Sequence, residues 1–132
     1  MNAETIREME AGRELDAVVM ELVMGYHREP RDFLPEHHWA WVKPDCKPTY
    51  LLPQFSRSND AMQDVVDAMR ERDFWWSASY KTACYPDDLN RPGYEVTFRC
   101  VYGGTRGTHT AAASTLAHAT ALAALLAVMG ES

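Results

Sequence analysis

Residues Ala111 to Met129 read AAASTLAHATALAALLAVM, a run with no charged side chain, in which Leu116, Leu122, Leu125 and Leu126 are set among alanines. Alanine and leucine are the strongest helix formers, so the run is expected to be a helix. A helix apolar nearly all round must be buried on most of its surface. A bilayer span takes about 20 apolar residues, close to this length, but alanines, threonines, a serine and a histidine make a poor lipid-facing surface. The expectation is therefore the central packing helix of a globular domain, whose small side chains let a sheet or another helix approach closely.

Working back from that run, Tyr94 to Tyr102 (YEVTFRCVY) alternates and is rich in β-branched and aromatic residues, which predicts a strand. Between strand and helix lies Gly103-Gly104-Thr105-Arg106-Gly107-Thr108-His109-Thr110. A glycine-rich turn delivering a helix N-terminus can hold an anion on its free N–H groups, with Arg106 adding a bidentate contact to phosphate. The turn has neither the lysine of a P-loop nor dinucleotide-fingerprint spacing. It reads either as a Thr-capped connection or as a phosphate cradle.

Further back, Trp75 to Ala83 predicts a strand joined through Tyr85–Gly93 to the Tyr94 strand as an antiparallel hairpin. Trp75 and Trp76 must face opposite ways on it, so at least one lies outside the core. A helix is expected after Ser58, a suitable N-cap, with Ala61, Val65 and Met69 inward and Arg70 and Arg72 at its C-terminal end. The stretch Tyr26 to Pro53 is broken by prolines. It holds two short strand candidates, His38–Lys43 and Thr49–Leu52, and Trp39 and Trp41 would share a face of the first. The first helix is expected over Ala3–Met24, buried through Leu15, Val18, Val19, Leu22 and Val23 and ended at Gly25. Glu8, Glu10, Arg13, Glu14 and Asp16 read as its solvated face.

At 132 residues with a net charge of −6, the chain fits one domain and is unsuited to nonspecific binding of nucleic acid polymers or acidic membranes. Three cysteines without a CxxC spacing and an opening without a signal-like apolar run fit a reducing cytoplasm. The five histidines form neither an HExxH nor a Cys/His zinc pattern, so no metal site or cofactor is expected. Ser114 and His118 at i and i+4 lack an orienting acid and a nucleophile elbow, and His118 reads as a buried histidine bonded to a neighbouring hydroxyl.

Three blocks resemble the phage ABA sandwich domain family. Gly12–Gly25 (GRELDAVVMELVMG) is similar to that family's opening helix. Within Pro53–Met69, residues Phe55, Ser56, Val65, Val66 and Met69 match its second-helix entry. Ala113, Thr115, Ala119, Leu122, Ala123, Ala124 and Leu125 resemble its closing helix. Ser58, Gln63, Ala117 and His118 depart from the pattern. The resemblance implies an α-β-α sandwich of α+β class, with a small, mostly antiparallel sheet and helices on both faces, and a phage or prophage origin. It brings no established activity.

On these grounds the expected function is a phage-encoded, non-enzymatic, homo-oligomeric protein of the host cytoplasm. It would sequester a small anionic, nucleotide-type signal of antiphage defence. Arg106, Thr108 and His109 would take the phosphate, and Trp76 with Arg57 the base or sugar. The surplus of tryptophan and tyrosine suits stacked nucleobases and protein contacts alike. The alternatives are an inhibitor docking on a host enzyme, an accessory phage protein of another kind, and a small phosphodiesterase- or lyase-like enzyme.

Overall fold

The structure, a computed structural model, describes residues 2–36, 38–82, 92–100 and 107–130. The element order is α1 (Ala3–Glu8), α2 (Arg13–Leu22), β1 (His27–Glu29), β2 (Ala40–Val42), α3 (Asn59–Glu71), β3 (Phe74–Lys81), β4 (Gly93–Cys100), β5 (Thr108–Ala113) and α4 (Leu116–Met129). Strands β3, β4 and β5 form an antiparallel sheet in that order, and β1 pairs with β2 in a separate two-stranded ribbon. This is a mixed α+β fold, as expected.

The α4 helix is the hub. It packs on β4 and β5 and also touches α1, α2 and α3. Every residue from Ala119 to Ala127 is buried, so no side of it faces solvent over that span. The helix is shorter than its composition suggests. Ala111 to Ala113 belong to β5, where Ala111 pairs with Val96 and Ala113 with Tyr94. Alanine tolerates either backbone state, and the ladder with β4 outweighs its helix preference. The helix instead starts after Thr115, whose side chain accepts the His118 N–H at 3.2 Å, and ends at Gly130 with a left-handed φ of 71°. Thr115→Ala should therefore cost about 1 kcal/mol of stability, read as a shift of the denaturant midpoint at unchanged slope.

Cross-strand register decides the faces of the sheet. Trp76, Phe98 and His109 share the inward face, as do Val96 and Ala111. Trp75, Arg99 and Thr108 share the other. The inward face meets α4, where Trp76 Nε1 donates to Thr120 Oγ1 at 3.2 Å. Trp75 is 69% exposed, so the two adjacent tryptophans do part ways. The helices gather on this one face rather than on both. Among the described residues the second face keeps Ser77, Ser79 and Lys81 exposed, and Thr97, Thr110 and Ala112 half-buried.

The N-terminal helix is two helices. The chain leaves α1 at an extended Met9 and re-enters at Arg13, so Ala3–Met24 is not continuous. Gly12 is a poor helix interior residue, and its N–H is taken by Ser56 Oγ at 3.0 Å. The buried side of α2 is also rotated from the expected stripe. Leu15, Asp16, Val19, Met20 and Val23 are inside, while Leu22 is exposed and Val18 half-buried. Gly25 does adopt a left-handed φ of 81°, and the Tyr26 N–H closes on the Met20 carbonyl. The α3 helix follows expectation at its Ser58 cap and at buried Val65 and Met69, with Met62 and Val66 buried beside them and Ala61 half-buried. Arg72, just past it, donates to the Leu22 and Val23 carbonyls at the end of α2. The Thr49–Leu52 strand is reduced to one bridge between Thr49 and Trp41.

Candidate functional site

The glycine-rich turn does not deliver a helix. Among its described residues, Gly107 leads directly into β5, and the α4 N-terminus lies beyond that strand. A side chain at Gly107 would place its Cβ 2.6 Å from the Cβ of Cys100, so the glycine serves close strand packing there. Arg106 lies outside the described residues. Thr108 is half-buried on the second face of the sheet, whereas His109 is buried on the inward face against the Phe74 ring. Adjacent strand residues cannot converge on one phosphate, because they face opposite sides. His118 takes no serine partner. Its Nε2–H donates to the Met9 carbonyl at 2.8 Å, tying α4 to the end of α1, and Ser114 precedes the helix.

A cleft of about 670 Å³ opens elsewhere, between α2, the β1–β2 ribbon and the segment leading to α3. Arg13 and Glu14 come from the first turn of α2, with Ala17 and Val18 one turn on. Arg28 comes from β1, Trp39 and Trp41 from the β2 region, Tyr50 and Leu51 from the following segment, and Arg57 from the turn before α3. Trp39 and Trp41 share a face, as β spacing requires, with ring centroids 6.5 Å apart. The Arg28 guanidinium carbon sits 4.8 Å from the Trp39 ring centroid and 5.8 Å from that of Trp41, within cation–π range of both. Three arginines and three aromatic rings therefore line one cleft, with the carboxylate of Glu14 beside them, in a chain of net charge −6.

Arg57 is aimed by a buried network. Asp16 has no solvent exposure, and its Oδ1 accepts the Ser56 N–H at 2.7 Å and the Ser56 hydroxyl at 2.6 Å. Its Oδ2 accepts Arg57 Nη2 at 2.8 Å. The Arg57 side chain keeps 42% exposure on its far side. A buried carboxylate is tolerable only when paired and hydrogen-bonded, and all three bonds meet that requirement. Asp16 is thus no part of a solvated face. It lies four and seven residues before the buried Met20 and Val23, an acid set on an apolar stripe, and that placement was the readable signal.

Glu21 in turn holds Arg28 through its Nε. Beside Arg28, the bonds of Glu29 to His27 and Arg31 hold its carboxyl below the usual carboxylate range. Of the expected ligand residues that are described, Arg57 lines the cleft, and Trp76, Thr108 and His109 do not. No sequence pattern groups Arg13, Arg28, Trp39 and Tyr50, because four stretches of chain separate in sequence bring them together. Among the described residues, no cluster of His, Cys, Asp or Glu is placed to hold a metal ion, and no helix is long and apolar enough to cross a membrane.

The chain matches no protein-family model and no curated protein. Among solved structures, its fold is similar to that of a phage protein from Bacillus cereus ATCC 14579, with a TM-score of 0.56, 14% identity and 95% of each chain covered.

Proposed function

We propose that this chain is a small phage or prophage accessory protein that binds, without converting, a small anionic ligand of nucleotide type in the arginine–tryptophan cleft. In a host cytoplasm such a protein would act as a sponge for a nucleotide signal of antiphage defence. The observation that carries the reading is the convergence of Arg13, Arg28 and Arg57 with Trp39, Trp41 and Tyr50 on one opening. Arginine forks match phosphate oxygens, and the rings offer a stacking surface for a base. The likeness to a phage protein supports the viral setting and leaves the ligand to the cleft's chemistry.

The test is thermal unfolding against cyclic oligonucleotides and cyclic ADP-ribose isomers, with the compound recovered and analysed after heating. A ligand at about a thousandfold its Kd adds roughly 4 kcal/mol, a shift of many degrees for a domain this size. Intact recovery is the outcome expected of a sponge, and a cleaved product would make the protein an enzyme. Arg57→Ala should weaken the compound that shifts by about ten- to a hundredfold, the worth of a lost charge-assisted hydrogen-bonded contact.

A second reading rests on Phe33 and Leu51, exposed at 68% and 81%, with the Phe33 ring 5.6 Å from that of Tyr50 at the cleft mouth. Such a patch suits an inhibitor docking on a host protein. Under that reading the compound panel stays flat, and Arg57→Ala leaves the protein partner bound.

A further inference from the structure

Two of the cleft's guanidinium groups are held from behind. Asp16 takes Arg57 through Nη2, and Glu21 takes Arg28 through Nε. Neither carboxylate lines the opening. Each pairing occupies one edge of a guanidinium and leaves other N–H groups for a ligand, since arginine carries five donors. The Arg28 guanidinium is held further by cation–π contact with Trp39 and Trp41. Side chains already held in place lose little freedom on binding, so both are prepared to receive oxygen acceptors.

The two anchors are also well separated. Asp16 and Glu21 are five residues apart on α2, a rise of about 7.5 Å along the axis, and they project from different sides of the helix. A lone phosphate sitting bidentate on one guanidinium would leave the other without an anionic partner from the ligand. Resting on the reading of the cleft as an anion site, we propose that it selects ligands carrying two phosphoryl groups, one on Arg57 and one on Arg28. Arg28 is then the specificity residue that separates them from ligands with a single phosphate.

Tryptophan-fluorescence titration tests this with adenosine 5′-monophosphate, adenosine 5′-diphosphate and adenosine 3′,5′-bisphosphate. The last two distinguish contiguous from separated phosphates. At least one two-phosphate compound should bind the wild-type protein about tenfold more tightly than the monophosphate, the worth of one charge-assisted contact. Arg28→Gln should bring that preference to within about twofold. Arg57→Gln should weaken all three compounds. Arg99→Gln, on the outer face of the sheet, should change none and so corrects for bulk charge. Equal affinity for one and two phosphates, or a preference that survives Arg28→Gln, overturns the proposal and leaves the cleft reading standing. No response to any phosphate compound overturns both.

Discussion

Asp16→Ala is expected to lower the unfolding free energy by about 3–5 kcal/mol, the range found when one partner of a buried ion pair is removed. The loss has three sources. The buried Ser56 N–H loses its acceptor, the Ser56 hydroxyl falls back on the Gly12 carbonyl at 3.4 Å, and Arg57 loses its anchor. The link joining the start of α2 to the entry of α3 then weakens. For a domain of this size the melting temperature should fall by roughly 10 °C or more. Asp16→Asn separates the contributions. Its amide oxygen can still accept from Ser56, while its NH₂ meets Arg57 donor to donor. It should therefore be milder in stability than Asp16→Ala and equally damaging to ligand affinity. Differential scanning calorimetry alongside titration reads both effects, and an unchanged melting temperature for Asp16→Ala would refute the account of the network.

Phe98→Ala should cost about 3–5 kcal/mol by the ordinary penalty for emptying a large core site. Phe98 has no solvent exposure and sits on β4 between Trp76 and His109, facing the helix layer. Nothing about it reaches the cleft. Equilibrium urea unfolding should show the loss in the midpoint, and the folded fraction should bind ligand as the wild-type protein does. The two variants control each other, since their stability losses are similar and their effects on binding differ. Equal binding losses in both would mean that global loosening, rather than the aim of Arg57, governs affinity.

Legibility in the sequence followed the range of the forces involved. The α3 helix was readable because its cap, its stripe and its charges all lie within its own residues. The parting of Trp75 and Trp76 needed only strand geometry. The limits of α4 were not readable, because Ala111–Ala113 are strand only through their ladder with β4. The break at Gly12 depends on Ser56, distant in the chain. The cleft was the least readable feature. Strand spacing pairs Trp39 with Trp41, but their grouping with Arg13, Arg28 and Arg57 depends on how α2, the ribbon and the α3 entry are docked. Gly12–Gly25 and Pro53–Met69, far apart in sequence, meet in space at the bond between Asp16 and Ser56.

In chain order α4 follows every element it packs against. During synthesis, α1, α2, α3 and the whole sheet leave the ribosome before their common partner does. Their apolar faces must wait uncovered through translation, as domains close only when their core is complete. Nascent chains stalled before Leu116 should accordingly stay protease-sensitive, and protection should arrive in one step once α4 has emerged.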